Sequence, residues 1–86
     1  MDGAGCRRFT REAARRAVEA RLAQLTQRER EVLRLVVEGV SSQMAANRLG
    51  TSVKTIDVHR ARIKAKTGAE SLGALVHDIL THRVVV

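Results

Sequence analysis

Three glycines divide residues 39–68, which read GVSSQMAANRLGTSVKTIDVHRARIKAKTG. Glycine adopts left-handed backbone angles at low cost, so Gly39, Gly50 and Gly68 predict the ends of three helices. Their spacing predicts a short helix followed by a longer one, from about residue 53 to residue 66. A short helix, a tight turn and a longer helix form a helix-turn-helix.

Residues that start helices precede each apolar stretch of the chain. A serine or threonine hydroxyl caps a helix by accepting a hydrogen bond from an amide of the first turn. The capping candidates are Thr26, which forms a capping box with Glu29, then Ser41 or Ser42, Ser52, and Ser71. Residues 10–22 are rich in Ala, Arg and Glu, which favour a helix. The sequence therefore predicts four capped helices preceded by a leader helix.

The composition of the 86 residues agrees with one small all-α domain. Apolar residues make up 44% of the chain, yet Phe9 is its one aromatic residue and proline is absent, which disfavours a β-sandwich. No apolar stretch reaches the roughly 18 residues of a membrane span, and a signal-peptide pattern is lacking. Cys6 is the one cysteine, so we expect no internal disulfide and a cytoplasmic location.

Positive charge is concentrated in the helix-turn-helix. The chain has 16 Lys and Arg against 9 Asp and Glu, a net charge of +7. Residues 39–67 carry six of those cations and one acid, Asp57, and apolar residues separate the cations. This pattern indicates a basic surface on a folded element, as in proteins that bind nucleic acid. An ordinary solvated helix face is the alternative.

The longer helix of this stretch has two different faces. Ile56 and Ile63 lie one heptad apart and fix the face toward the core. The opposite face, mostly small, carries Lys54, Asp57, Val58, Ala61 and Ala65, and the rims carry His59, Arg60, Arg62, Lys64 and Lys66. Such a helix suits the major groove of DNA, which is about 12 Å wide.

Together these residues resemble the LuxR-type helix-turn-helix domain of bacterial transcription regulators. The resemblance rests on LTQRERE at residues 25–31, SVKTI at residues 52–56 and VHRARI at residues 58–63, and it covers about residues 25–80. The VHR run and the leader helix are most similar to the FixJ-type branch, whose members are usually response regulators of two-component systems. The resemblance implies sequence-specific binding of double-stranded DNA and regulation of transcription.

The resemblance also implies the organisation of the chain. We expect a flexible tail and leader helix over residues 1–24, with Met1–Cys6 frayed, a LuxR-type domain over residues 25–81, and a C-terminal tail over residues 82–86. A phospho-acceptor receiver domain does not fit in the 24 residues before the domain. The chain is therefore either a stand-alone effector domain or the end of a longer regulator.

The DNA contacts that the resemblance implies lie on the longer helix. Lys54, Thr55, His59, Arg60, Arg62 and Lys66 match backbone-contacting positions or their neighbours, and Asp57, Val58 and Ala61 match groove-facing ones. Ser52 caps the helix, and a helix N-terminus is also a phosphate site. Asp57 either accepts a hydrogen bond from cytosine N4 or pairs with Arg60 or Arg62. His59 contacts DNA, packs with a hydrogen bond to backbone, or does both.

Three positions depart from the family pattern in ways that weaken the core. The family has a large aliphatic residue where Ala45 stands, an aliphatic one where Thr51 stands, and Leu or Met where Thr67 stands. Replacing a buried Ile by Ala typically costs ~2–5 kcal/mol. We expect modest stability, with Met44 filling part of the space beside Ala45.

The last helix is more apolar than one small core requires. We expect Leu75, and to a lesser degree Leu72, to face the core. The residues expected to be left partly for a second copy are Val76, Ile79 and Leu80, and residues 84–86 add apolar surface. Because the patch is small, the sequence predicts a weak homodimer that forms on adjacent DNA half-sites. RNA polymerase is the further partner expected of a transcription regulator.

Other chemistry has little support in the sequence. His59, His77, His82 and Cys6 lack metal-ligand spacing, and no Gly-rich phosphate loop, catalytic triad or carboxylate pair is found. We therefore expect no enzyme activity, metal, cofactor or small-molecule ligand. Two alternatives stay open: the promoter-reading region of a sigma factor, which the pattern of residues 66–76 disfavours, and a basic helical module that binds another protein. Steep salt dependence distinguishes DNA binding from protein docking.

Overall fold

The computed structural model describes the backbone of residues 3–86 and the side chains of residues 12–86. Its five helices are α1 (Gly3–Leu22), α2 (Gln27–Val37), α3 (Ser42–Leu49), α4 (Val53–Thr67) and α5 (Leu72–Thr81). No strand occurs between residues 3 and 86, so the predicted all-α fold with a leader helix is confirmed. None of the five described helices combines the length and the apolar character needed to cross a membrane.

The leader helix is longer than the sequence indicates, because α1 begins at Gly3 instead of residue 10. The expected fraying of Met1–Cys6 is wrong for residues 3–6, whose backbone belongs to α1. Met1, Asp2 and the side chain of Cys6 lie outside the described residues.

The C-terminal half of α1 belongs to the core of the domain. Val18 and Leu22 are buried, as is Leu25 in the turn that follows. The Arg30 guanidinium of α2 donates a hydrogen bond to the main-chain oxygen of Leu22 at 3.1 Å, which ties the end of α1 to α2. These contacts make α1 part of the folded unit at its C-terminal end.

The helices start at the predicted caps. Thr26 Oγ1 accepts a hydrogen bond from the Glu29 amide at 3.1 Å, and Glu29 Oε1 accepts one from the Thr26 amide at 2.9 Å, which completes the capping box of α2. Of the two candidates for α3, Ser41 is the cap, and Ser52 and Ser71 cap α4 and α5. Capping residues read from the sequence therefore fix the register of four helices.

Two of the predicted glycine stops are C-caps in the left-handed region. Gly50 ends α3 with φ 64°, and Gly68 ends α4 with φ 68°. A residue with a Cβ is strained at such angles. The Gly50 turn thus connects α3 to α4 over only three residues, 50–52.

The longer helix α4 is the centre of the fold and contacts each of the other four helices. Its predicted inward residues, Ile56 and Ile63, are fully buried. The buried residues around them include Val32 and Leu33 of α2, Ala45 and Ala46 of α3, and Leu75 and Ile79 of α5. Because one face of α4 is locked in this core, the direction of its opposite face is fixed as well.

The positions that depart from the family pattern are accommodated in different ways. Ala45 is buried. Buried Thr67 donates its hydroxyl hydrogen bond to the main-chain oxygen of Ile63 at 2.7 Å, so its polar group is satisfied within the helix. Met44 is half exposed, and the prediction that it fills space beside Ala45 is wrong. The inward face of α3 is already occupied by Ala45 and Ala46, which leaves Met44 on the solvent side.

The arrangement of α5 corrects the predicted division of its apolar residues. Ile79 is only 2% exposed and belongs to the core with Leu75, so it is not left for a second copy. Leu80 is 61% exposed, Val76 is half-buried and Leu72 packs at the edge of the core. The reason is geometric: Leu75 and Ile79 lie four residues apart on one face of α5, whereas Leu80 is rotated about 100° from Ile79.

Most of the C-terminal segment packs against the domain, so it adds less exposed apolar surface than the sequence predicts. Val84 is buried and Val86 packs on the core, whereas Val85 is exposed. The Arg34 guanidinium of α2 donates two hydrogen bonds to the main-chain oxygen of Val86, from Nε at 3.2 Å and from Nη2 at 3.0 Å. Of the three valines, only Val85 remains available as exposed apolar surface.

Candidate nucleic-acid interface

The outward face of α4 is a row of exposed, mostly small side chains. Asp57, Val58 and Ala61 are exposed, and so are Lys54 and Ala65 on the same face. They lie opposite Ile56 and Ile63, as the heptad spacing predicts. Without long side chains in its middle, this face allows the backbone of α4 to approach another surface closely.

The start of α4 is organised by two hydroxyl groups. Ser52 Oγ accepts a hydrogen bond from the Thr55 amide at 3.2 Å and lies 3.0 Å from Thr55 Oγ1. The short Gly50 turn brings this N-terminus beside the end of α3, and unpaired amides of a first helical turn attract anions. Ser52 is thus the cap of α4, and Thr55 in the first turn supports it at the end of α4 that is nearest α3.

Arg60 connects the two helices of the helix-turn-helix. Its side chain is half-buried, and Nη1 donates a hydrogen bond to Ser42 Oγ of α3 at 3.2 Å. A guanidinium has five N–H donors, so this bond orients the group and leaves most of its donors available for other contacts. Ser42 cannot be identified from the sequence as the partner of Arg60, because residues 18 positions apart meet only through the fold.

Lys66 lies at the other end of α4 and forms an ion pair within the domain. Its Nζ is 2.8 Å from Glu29 Oε1 of α2. Burial raises the pKa of the Glu29 carboxyl, but the hydrogen bonds from Lys66 and Thr26 and the charge of Lys66 outweigh that effect, so the pKa lies below its ordinary value. The sequence predicts a DNA contact for Lys66; the structure brings it to Glu29, a residue identified only as a cap. The spacing of Glu29 from Val32 and Leu33 indicates that Glu29 faces inward, but its pairing with Lys66 depends on the fold.

His59 is half-buried on the flank of α4. Its Nδ1 atom is buried and has no hydrogen-bond partner among the described residues. The predicted hydrogen bond to backbone is therefore not found at Nδ1. The ring packs against the domain at the border of the basic face.

Asp57 is not paired with the cations that surround it on α4. Arg62 and Lys64 are exposed, as is Lys54. Within residues 12–86, Asp57 forms no ion pair, although Arg60 lies one turn further along the same helix. The proposed pairing of Asp57 with Arg60 or Arg62 is absent from this structure. The described residues contain no group of three or more His, Cys, Asp or Glu side chains able to hold a metal ion.

Comparisons with known proteins agree with this geometry. The sequence profile of the GerE family, described as bacterial regulatory proteins of the luxR family, matches residues 23–79. The transcriptional regulatory protein TdiR of Thauera aromatica is 49% identical over 59 residues, which are 69% of this chain and 26% of that protein. The C4-dicarboxylate transport transcriptional regulatory protein DctR of Rhodobacter capsulatus is 44% identical over 68 residues, which are 79% of this chain and 34% of that protein.

A solved structure extends the similarity to the leader helix. Full-length FixJ from B. japonicum superposes with a TM-score of 0.81 and 32% sequence identity, and the match covers 91% of this chain and 38% of that one.

The chain spans about a quarter to a third of the length of the two relatives TdiR and DctR.

Proposed function

The chain belongs to the LuxR family of bacterial regulatory proteins, and from that premise we propose how it binds double-stranded DNA and regulates transcription. Helix α4 enters the major groove with its outward face, and α3 lies across the backbone. The observation that carries this proposal is the exposed small face of α4, centred on Ala61 and flanked by cations on a helix whose other face is buried. Neither the sigma-factor reading nor the protein-binding reading is favoured by the family match.

The contacts divide into those that position the helix and those that read bases. Lys54, Thr55, His59, Arg60 and Arg62 contact phosphates, together with the amides that follow Ser52 at the start of α4. Asp57, Val58 and Ala61 face the base edges. We assign Lys66 to the fold instead of the phosphates, because its ammonium group already pairs with Glu29.

The binding unit on DNA is a weak dimer of this domain. Few apolar residues stay exposed at the end of α5 and beyond it: Leu80 and Val85, with half-buried Val76 one turn before Leu80. Even together they offer too little apolar area for a stable dimer in solution. Two adjacent half-sites raise the effective concentration of one copy for the other. This unit serves as the DNA-binding part of a FixJ-type response regulator in the bacterial cytoplasm. The regulator acts on RNA polymerase, and the unit itself has no catalytic role.

The test compares the salt dependence of DNA binding for two arginine substitutions. Arg60→Ala removes a phosphate contact and should lower the slope of log K against log salt by about 0.9. Arg28→Ala is the matched control, because it removes the same charge from the exposed surface of α2, where Arg28 pairs with Glu31 alone among residues 12–86. Its slope should equal that of the parent protein.

A third variant, Ser42→Ala, separates the two roles of Arg60. It removes the hydrogen bond that orients the guanidinium and leaves the charge in place. We expect weaker binding with an unchanged slope. Equal slopes for all three variants and the parent would contradict the placement of α4, and an affinity that does not respond to salt would favour a protein-binding module.

A further inference from the structure

We infer that Asp57 gives this domain a cytosine-reading position in its DNA half-site, an inference that rests on the proposed function. The carboxylate accepts a hydrogen bond from the N4 amino group of that cytosine in the major groove. Val58 and Ala61 read the methyl groups of thymines beside it.

The first support is that the Asp57 carboxylate has no partner in the domain. The ion pairs within residues 12–86 join Arg15 to Glu19, Arg28 to Glu31, and Lys66 to Glu29. Lys54 and Arg60 each lie one turn from Asp57 along α4, and neither pairs with it. The Arg60 guanidinium is directed to Ser42 on α3 instead. Asp57 is exposed on the outward face of α4, the one acid among the six cations of residues 39–67. An unpaired acid at this place is repelled by phosphates, so it favours binding only where it meets a donor.

The second support is the pattern of donors and acceptors in the major groove. An ionised carboxylate only accepts hydrogen bonds. Guanine presents acceptors O6 and N7, and thymine presents the acceptor O4, so both repel Asp57. Adenine and cytosine each offer an amino donor, but the adenine amino group lies beside the acceptor N7. The cytosine amino group lies beside a C–H, and cytosine is therefore the base that a carboxylate prefers.

The third support is the chemistry of the other two groove-facing residues. Val58 is 43% exposed, Ala61 is exposed, and neither side chain forms hydrogen bonds. At about 100° per residue, Asp57 and Val58 lie on either side of Ala61, which is one turn further along the helix. Asp57 is therefore the one polar reader of the three, and the apolar pair suits thymine methyl groups.

The experiment selects bound sequences from a random DNA pool with the parent chain, Asp57→Asn and Asp57→Ala. The parent should select a half-site containing one strongly preferred cytosine. Asp57→Asn should change that preference to adenine, because an amide pairs with both N6 and N7. Asp57→Ala should lose the preference, with the affinity difference between the cytosine site and its variants falling by about five- to thirtyfold. Since Asp57 is exposed and unpaired, both variants should melt like the parent.

A second measurement uses a synthetic site in which that cytosine carries an N4-methyl group. The methyl group replaces the amino hydrogen that faces the groove and leaves the hydrogen that pairs with guanine. The parent should bind the modified site about five- to thirtyfold more weakly, and Asp57→Ala should bind both sites equally.

The two proposals fail in different ways. If the parent selects a motif that Asp57→Asn and Asp57→Ala also select unchanged, or if N4-methylation affects the parent and Asp57→Ala alike, cytosine reading by Asp57 is overturned and DNA binding stands. If the parent selects no motif and its binding does not depend on salt, the proposed function itself is overturned.

Discussion

The ion pair between Glu29 and Lys66 yields a prediction that separates folding from DNA binding. It joins the first turn of α2 to the last turn of α4, and its carboxylate side is 2% exposed whereas its ammonium side is 37% exposed. Glu29 Oε1 accepts two hydrogen bonds, from Lys66 Nζ at 2.8 Å and from the Thr26 amide at 2.9 Å. The substitutions are Lys66→Met, which keeps the aliphatic stem, Glu29→Gln, which keeps the shape, and the double variant.

The structure sets the size of the expected effects. A hydrogen bond to a charged group contributes about 1.5–3 kcal/mol, and water screens the partly exposed ammonium group, so we expect Lys66→Met to lower the free energy of unfolding by about 1–2 kcal/mol. Glu29→Gln retains an oxygen that accepts from Thr26 and should cost about 1 kcal/mol. The double variant no longer strands a buried carboxylate, so its loss should be about 1 kcal/mol smaller than the sum of the single losses.

Thermal unfolding and DNA titration provide the assay. For a domain of this size, 1 kcal/mol corresponds to roughly 4–8 °C in Tm. Lys66→Met should lower Tm by about that amount or somewhat more, and the salt slope of its DNA binding should stay at the parent value. If Lys66→Met instead keeps the parent Tm and lowers the slope by about 0.9, Lys66 leaves Glu29 for a phosphate and our assignment of it to the fold is refuted.

Acid titration tests the same pair from the side of Glu29. The folded-state pKa of Glu29 lies below its unfolded-state value, so the unfolded chain binds the proton more readily. The stabilisation from Glu29 is therefore fully present above the unfolded-state pKa of roughly 4.3 and is lost as the pH falls through the folded-state pKa. Glu29→Gln should lose less stability than the parent over that acid range, and equal losses would contradict the depressed pKa.

Two further predictions concern the core and the dimer. Ile56→Asp and Ile79→Glu should each abolish cooperative melting of the helices, because both side chains are buried and a buried unpaired carboxylate costs several kcal/mol; a folded Ile79→Glu protein would return Ile79 to the surface. Leu80→Glu should keep the parent Tm and single-half-site affinity but lose cooperative binding to paired half-sites, as measured by titration and sedimentation. Cooperativity that survives in Leu80→Glu would move the dimer contact elsewhere, with α1 as the next candidate.

The leader helix illustrates where local sequence signals stop being sufficient. Helix-forming residues predict α1 from residue 10 onward, yet the helix begins at Gly3. Glycine is a poor helix former, so no local feature of the sequence predicts that the helix begins at Gly3. The burial of Val18 and Leu22 likewise depends on the position of α2 and α4, which the periodicity of α1 does not specify.

The basic face of α4 could be predicted largely from the sequence. The heptad spacing of Ile56 and Ile63 identifies the buried face, and helical geometry then places Asp57, Val58 and Ala61 opposite. The family and its FixJ-type branch, inferred from the motifs of residues 25–63, are confirmed by the match to residues 23–79 and by the similarity to FixJ. The DNA contacts of the individual residues and the dimer stay predictions.

By itself, the sequence determined the features that depend on neighbouring residues: the caps, the glycine stops, the number of helices and the two faces of α4. The tertiary structure alone decided which charged side chains form contacts within the domain and which apolar side chains are buried. Lys66 meets Glu29, Arg60 meets Ser42 and Arg34 meets Val86 across 37, 18 and 52 positions of the chain. The burial of Ile79 likewise depends on the helices that pack against α5. Periodicity shows which side chains share a face, but burial and pairing depend on what packs against that face.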